Sequence, residues 1–174
     1  KKTTIKSTVA MAKEMCIETD IPEVPSIALG TPNVSLYEMV GAYTAFANKG
    51  QVVKPRFLLR IEDNKGEVLQ DFEAVTKQRA MSTRTAELML HMLKQVVDKG
   101  TANRLRSVYK LPNDIAGKTG TTQSHADGWF IGVTPNLVAG AWVGSDDPNI
   151  HFRTITYGQG AAMALPIWGR FMQQ

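Results

Sequence analysis

Apolar residues recur at three- and four-residue spacing in four stretches of the chain, the pattern of helices that bury one face. The clearest of these helices begins at Ser35, a candidate N-cap followed three residues later by Glu38, and ends at Gly50. Its apolar stripe consists of Leu36, Met39, Val40, Tyr43 and Phe46. The pattern therefore predicts a well-capped helix over residues 35–50, with one face turned to the core.

The other three periodic stretches predict helices over residues 4–17, from Ser82 or Thr83 to Gly100, and over residues 161–172. Pro166 lies in the last of them and is expected near its start, because proline breaks a helix interior. In the helix that ends at Gly100, the residues expected to face the core are Met89, Met92, Leu93, Val96 and Val97.

From Asp114 onward the pattern changes to strands, over residues 115–122, 129–133 and 137–144. Short polar turns separate them, which predicts an antiparallel meander. A peripheral hairpin is also predicted, with strands over residues 56–61 and 67–69 around the turn 63–66. Together these elements indicate an α/β (α+β) protein in which helices flank an antiparallel sheet, with all of residues 1–174 in a single domain.

Composition excludes several classes of protein. The chain of 174 residues has a net charge of +4, but its basic residues are scattered and no nucleic-acid-binding motif accompanies them. One cysteine excludes an internal disulfide framework, and the three histidines are far apart, so we expect no metal and no cofactor. No apolar run is long enough to span a membrane. The chain starts at Lys1 without an initiator methionine, and we expect it to be a piece of a longer protein.

The candidate chemistry lies on the first predicted strand of the meander, at Lys118-Thr119-Gly120-Thr121-Thr122. Lys-Thr-Gly is one of three motifs typical of penicillin-binding proteins and serine β-lactamases. The lysine can stabilise charge or relay a proton, a hydroxyl can hold a carboxylate, and Gly120 lets a substrate approach the strand closely. A peptide could add to such a strand by main-chain hydrogen bonds, with the Thr121 N–H as an oxyanion donor.

The chain offers a poor nucleophile for acyl transfer at this strand. Of its seven serines, only Ser107 forms the Ser-x-x-Lys motif, with Lys110. That motif requires a helix, and Pro112 leaves room for one turn at most, so we do not expect Ser107 to be the nucleophile. The third motif, Ser-x-Asn, does not occur. The chain is therefore predicted to hold one wall of an active site.

Further blocks of sequence match a known family in order and nearly from end to end. The chain is similar to the C-terminal half of the transpeptidase domain of a class A, bifunctional penicillin-binding protein. The matching blocks are Ser26-Ile27-Ala28-Leu29-Gly30, Val34 to Met39, Ala42-Tyr43, Phe46-Ala47-Asn48, Gly100-Thr101-Ala102, Gly117 to Thr122, Trp129 to Gly132, Ala141 to Gly144 and Pro166-Ile167-Trp168.

This resemblance implies a partial transpeptidase fold like that of DD-peptidases and β-lactamases, without the N-terminal half of the domain. It implies acylation of a serine by the D-Ala-D-Ala end of a peptidoglycan stem peptide, transfer to a neighbouring amine, and inhibition by β-lactams. Lys118 would be catalytic, and Thr119, Gly120, Thr121 and Thr122 would bind substrate, with Thr119 and Thr121 on the donor carboxylate. The parent protein would act on the outer side of the cell membrane.

Several alternatives remain open at the level of sequence. The chain could be a non-catalytic module that binds peptide or peptidoglycan, or a relative of β-lactam sensors and β-lactamases. Asp127 and Trp129 could shape the rim of the site or be a turn acid and a core aromatic, and Gly158 and Gly160 could match a family glycine pair or serve a turn. Because neighbouring strands would be missing, the strand over 137–144 would have an open edge through which we expect self-association.

Overall fold

The structure, a computed structural model, describes residues 3–72, 77–147 and 149–174. Within these residues the chain forms six α-helices and seven strands, with short 3₁₀ turns at Pro25–Leu29 and Gln123–His125. In chain order they are α1 (Ile5–Glu14), α2 (Leu36–Ala47), β1 (Gln51–Val53), β2 (Arg60–Glu62), β3 (Val68–Asp71), β4 (Lys77–Arg79), α3 (Thr83–Asp98), α4 (Arg104–Ser107), β5 (Ala116–Thr121), β6 (Gly128–Val133), β7 (Val138–Val143), α5 (Ile155–Gly158) and α6 (Ala164–Phe171).

The predicted meander is confirmed as an antiparallel sheet in the order β5-β6-β7. Thr119 lies opposite Phe130 on β6, and Phe130 lies opposite Ala141 on β7. Because successive side chains of a strand alternate between faces, these residues share one face of the sheet. The flanking helices and the antiparallel sheet confirm the predicted fold class.

Helices cover the two faces of this sheet. On the face defined here as the α6 face, the Trp168 indole packs on Phe130 with ring centroids 5.2 Å apart. It also covers Gly132, where a Cβ would come within 2.3 Å of the ring. On the opposite face, defined as the α2 face, Leu36 and Val40 of α2 pack over Gly140. Glycines in the strands therefore let both helices lie close to the sheet.

The capping box predicted for α2 is confirmed: the Ser35 side chain accepts from the Glu38 N–H, and Glu38 accepts from the Ser35 N–H. The first helix was predicted too long, since α1 stops at Glu14 and Cys16 has a positive φ of 61°. Its N-terminus carries a capping box between Thr4 and Ser7 that was not predicted. Serine at the third helical position replaces the glutamate that usually signals this motif.

The structure also tests the predictions for the peripheral hairpin, for the buried face of α3 and for the start of the last helix. The peripheral hairpin is confirmed, although its first strand starts only at Arg60. The prediction that Met92 faces the core is wrong, because it lies about a third of a turn away from the buried Ala86, Leu93 and Val97 and is 54% exposed. The last helix begins at Ala164, later than predicted, with Pro166 in its first turn, where a missing N–H costs little.

Candidate functional site

The Lys-Thr-Gly motif lies on β5, which pairs only with β6 in the part of the chain that the structure describes. At the end of the strand, the Thr122 N–H donates to Asp127 O over 3.2 Å, so this amide points toward β6. Amides of successive residues point to opposite edges of a strand, and the Thr121 N–H therefore points to the free edge. A main-chain donor at the motif is thus open to a ligand.

Lys118 and Gly120 lie on the α2 face, opposite Ile131 and Trp129 of β6. The Lys118 side chain is exposed, and its Nζ donates to Thr119 O over 2.6 Å. By the same alternation Thr119 O lies at the free edge, so the ammonium is held beside that edge. Gly120 packs on Trp129, whose Cβ would be 3.1 Å from an added Cβ.

Thr119 lies on the α6 face and is only 8% exposed. Its Oγ1 is 2.6 Å from Oγ1 of Thr101, which follows α3 and is exposed. Sequence reasoning did not assign Thr101 a role, although it belongs to the matched block Gly100-Thr101-Ala102. The contact joins residues 18 positions apart, and only the packing of α3 against β5 brings them together.

Thr121 is exposed at the end of β5, and its Oγ1 accepts from the Gly160 N–H over 3.0 Å. Gly160 lies directly against the sheet, where an added Cβ would come within 2.2 Å of Gly120 O and 2.5 Å of Trp129 O. Backbone atoms cannot yield to such a contact as a flexible side chain can. The segment before α6 is therefore held against β5 at a position where only glycine fits.

The turn between β5 and β6 already uses the Thr122 hydroxyl. Its Oγ1 accepts from the Asp127 N–H over 3.0 Å and donates to Asp127 O over 3.4 Å. The Asp127 carboxylate accepts from Nε1 of Trp129 over 3.2 Å. Within the turn, Ser124 and His125 both have positive φ values, 57° and 59°. Such strain in non-glycine residues is often found beside functional sites.

Ser107 ends the single turn of α4, and its hydroxyl donates to Asn103 O over 3.2 Å. Lys110 lies beyond the helix with a positive φ of 55°, so the two residues do not share a helix face. Within the described part of the chain, the Lys118 ammonium makes its only hydrogen bond to Thr119 O. No serine hydroxyl among these residues therefore contacts it.

Metal-ligating side chains do not converge within residues 3–72, 77–147 and 149–174. Across the described ranges, no three side chains of His, Cys, Asp or Glu come together in a way that could hold a metal ion. Among the same residues, Nδ1 of His125 is buried without a hydrogen-bond partner. No described helix has both the length and the apolar character that crossing a membrane requires.

Comparison with known proteins gives consistent matches. Residues 23–162 match the family of the penicillin-binding protein transpeptidase domain. The chain is 36% identical over 148 residues to penicillin-binding protein 1A of Aquifex aeolicus, covering 85% of this chain and 19% of that protein. It is 36% identical over 175 residues to penicillin-binding protein 2D of Bacillus subtilis, covering 95% of this chain and 24% of that protein. The chain thus spans about a quarter or less of these relatives.

Solved structures agree on the fold. The crystal structure of penicillin-binding protein 1A from Haemophilus influenzae superposes with a TM-score of 0.86 at 24% identity, over 97% of this chain and 30% of that one. PonA1 of Mycobacterium tuberculosis, solved in complex with penicillin V, gives a TM-score of 0.74 at 24% identity, over 95% of this chain and 48% of that one. The chain belongs to the penicillin-binding protein transpeptidase domain family, as its resemblance to the class A proteins indicated.

Proposed function

We propose that residues 1–174 are the C-terminal portion of a single transpeptidase domain. The parent protein would cross-link peptidoglycan by serine-type acyl transfer from the D-Ala-D-Ala end of a stem peptide. Family membership supports this proposal, as does the small share of its relatives that the chain spans. The observation that carries it is the free edge of β5, which bears the Lys-Thr-Gly motif and the outward Thr121 N–H.

A stem peptide would add to the free edge of β5 as a further strand. The Thr121 N–H would stabilise the oxyanion, and the Lys118 ammonium would supply charge or a proton beside the same edge. Gly120 would let the peptide approach closely, and Thr119 would accept and donate hydrogen bonds through its backbone. Thr122 would hold the end of the strand through its contacts with Asp127. A β-lactam would bind the same edge in place of the peptide.

The serine nucleophile and the Ser-x-Asn motif would come from the N-terminal half of the domain, outside this chain. That half would be its main protein partner, and peptidoglycan stem peptides and β-lactams its ligands. Because peptidoglycan lies outside the cell membrane, the parent protein would act there, on the periplasmic face. The isolated chain would not be acylated, since no described serine hydroxyl contacts Lys118.

Covalent labelling with a fluorescent penicillin tests this reading. We expect the chain to carry no label after denaturing electrophoresis, and Ser107→Ala to leave that result unchanged. A full-length class A penicillin-binding protein run beside it serves as the positive control. Stoichiometric labelling of this chain that disappears in Ser107→Ala would overturn the proposal and make Ser107 a nucleophile.

One observation favours a second function, that of a non-catalytic module that binds peptide. The β5 edge is fully formed in a chain whose single Ser-x-x-Lys motif, at Ser107, does not lie on one helix face, so it could bind a stem peptide without reacting. Saturable binding of N,N′-diacetyl-L-lysyl-D-alanyl-D-alanine that leaves the peptide intact would support this function. The affinity should fall in Lys118→Ala and stay unchanged in Lys65→Ala, which removes a lysine from the β2–β3 turn. Equal affinities in the two variants would exclude binding at the motif.

A further inference from the structure

The hairpin of β2 and β3 stands apart from the packed core of the chain. Every residue of Arg60–Glu62 and of Val68–Asp71 is exposed. Among the described residues, β2 and β3 pair only with each other. A hairpin of two strands is marginally stable in water, whereas a sheet of three or more strands is more stable. A further strand at one of its edges would therefore stabilise the hairpin.

Hydrogen bonds beside the two ends of β2 show which of its backbone groups face the free edge. Leu59 O accepts from the Phe72 N–H over 3.0 Å, and the Asp63 N–H donates to Glu67 O over 2.9 Å. Leu59 and Asp63 thus both point toward the β3 side of the hairpin. Backbone groups of successive residues alternate between the two edges of a strand. The first and last residues of β2 therefore turn their N–H and C=O groups to the free edge.

The side chains of β2 complement a second copy of the same strand. When two copies pair antiparallel about Ile61, Arg60 of each chain lies opposite Glu62 of the other. Opposite charges placed directly across from each other stabilise a pair of strands. The two Ile61 side chains meet at the centre as a non-hydrogen-bonded pair, and the outward backbone groups on either side form four main-chain hydrogen bonds. This register therefore satisfies both the backbone and the charges of the edge.

The outer edge of β3 does not offer the same match. The register of the hairpin skips one residue of β3, Leu69, which therefore forms a bulge. A bulge disrupts the regular hydrogen bonding of the strand that carries it. Antiparallel pairing of two β3 strands about Leu69 would also set Glu67 of one chain opposite Asp71 of the other, and like charges in that position repel. The bulge and the acidic residues therefore favour pairing through β2.

We propose that two copies of the chain form a symmetric dimer in which their β2 strands pair antiparallel through the free edges, with Arg60 of each copy opposite the partner's Glu62. Such an interface uses the same surface twice, as a two-fold axis requires. Within one chain, Nη2 of Arg60 lies 2.5 Å from Oε1 of Glu62, and both side chains are exposed, so each charge can be shared with the second copy. The two hairpins then form one four-stranded sheet. This surface is separate from the β5 edge, so the dimer does not depend on the function proposed above.

A disulfide at the centre of the interface tests the pairing. At the two-fold axis the Cα atoms of the two copies of residue 61 would lie about 4.5 Å apart, within the range of a disulfide. In a Cys16→Ser background, Ile61→Cys should therefore give a disulfide-linked dimer under mild oxidation. Leu69→Cys is the matched control on β3 and should remain largely monomeric. Because Leu69 is 67% exposed and Ile61 39%, random collisions alone would favour the control.

Charge reversal in the Ile61→Cys chain tests the register. Arg60→Glu leaves two acidic residues on β2, and Glu62→Arg leaves two basic ones. Each variant should therefore repel its own copies and form the disulfide about tenfold more slowly. In an equimolar mixture, each acidic side chain of one variant meets a basic side chain of the other. The mixed dimer should therefore form at about the rate of the parent chain, and mass spectrometry should find it in large excess over both homodimers.

These measurements distinguish the proposed dimer from its alternatives. Rescue by mixing cannot come from variants that have merely lost the hairpin, and association through β7 does not bring the two copies of residue 61 together. The double variant Arg60→Glu/Glu62→Arg restores both charge pairs and should form the disulfide at the parent rate. No linked dimer of Ile61→Cys, or an equal yield from Leu69→Cys, would overturn the proposal. Mixed dimers and homodimers in statistical proportions would overturn the register.

Discussion

The Glu38 carboxylate holds two separate parts of the chain together. Its two oxygens accept from the N–H groups of Glu18, Thr19 and Ser35 and from the hydroxyls of Thr19 and Ser35, over 2.8–3.0 Å. It therefore both caps α2 and fixes the segment that follows α1. Replacing Glu38 by glutamine keeps the shape of the side chain but turns an amide N–H₂ toward backbone N–H groups, which can only donate.

The magnitude of this effect follows from the pKa of Glu38. Partial burial raises this pKa, but the hydrogen bonds from Ser35 and Thr19 outweigh burial and lower the pKa from 4.5 to about 2. At 1.36 kcal/mol per pKa unit, this corresponds to about 3.4 kcal/mol of stability at neutral pH. Because Glu38 is only partly buried, solvent screening reduces the expected contribution to about 2 kcal/mol.

The sign of the pH dependence is determined by which state binds the proton more tightly. The pKa of Glu38 is lower in the folded chain, so protonation favours the unfolded chain. The stabilisation is complete above the unfolded value of 4.5 and is lost as the pH falls through about 2. Glu38→Gln removes the carboxylate at every pH, so the difference between wild type and variant should shrink in acid.

Thermal unfolding followed by circular dichroism measures this difference between pH 7 and pH 2.5. At pH 7 Glu38→Gln should lower the Tm by about 4–8 °C, the shift that about 2 kcal/mol produces in a domain of this size. Glu87→Gln, which changes an exposed glutamate of α3, is the matched control and should leave the Tm unchanged. A Tm difference for Glu38→Gln that stays constant from pH 7 to pH 2.5 would refute the assignment of the stabilisation to the ionised carboxylate.

Three further predictions concern the sheet and its turn. Gly160→Ala should destabilise the chain by about 1–3 kcal/mol in urea unfolding, because its Cβ would meet the backbone of β5 and β6, and an unchanged midpoint would contradict that contact. Asp127→Ala should speed hydrogen exchange at Nε1 of Trp129, with Nε1 of Trp168, bonded to Ala139 O, as the internal control. The chain should associate through the free edge of β7 as its concentration rises in sedimentation, and Val138→Pro should weaken that association; a monomer at all concentrations would refute it.

The elements that sequence reasoning predicted are those whose signals are local and repeated. α2 combines a capping box with a long apolar stripe, and β5, β6 and β7 combine apolar runs with short polar turns. The elements it missed are short. β1 and β4 have three residues each, and α5 has four, so none of them repeats its hydrophobic period even twice, and the pattern cannot be recognised. They form because tertiary contacts hold them in place.

The candidate site divides in the same way. The Lys-Thr-Gly motif is visible in the sequence because its members are adjacent. It lies on β5, the first strand of the meander, as predicted. The contact of Thr101 with Thr119 spans 18 residues and that of Thr121 with Gly160 spans 39, so neither follows from spacing. The matched family block at Thr101 and the pair of glycines at positions 158 and 160 were the only signals.

The two edges of the central sheet differ in chemistry, and this difference separates ligand binding from self-association. Among the described residues β7 pairs only with β6, which leaves its other edge free. The strand, Val138–Val143, has no charged residue, so nothing on it opposes pairing with another chain. The free edge of β5 has the Lys118 ammonium beside it and hydroxyls along one side. A second copy of β5 would bring two ammonium groups together, whereas a peptide that ends in a carboxylate would neutralise one. The unpaired backbone groups of β5 are therefore open to an anionic strand, whereas those of β7 are open to any apolar strand.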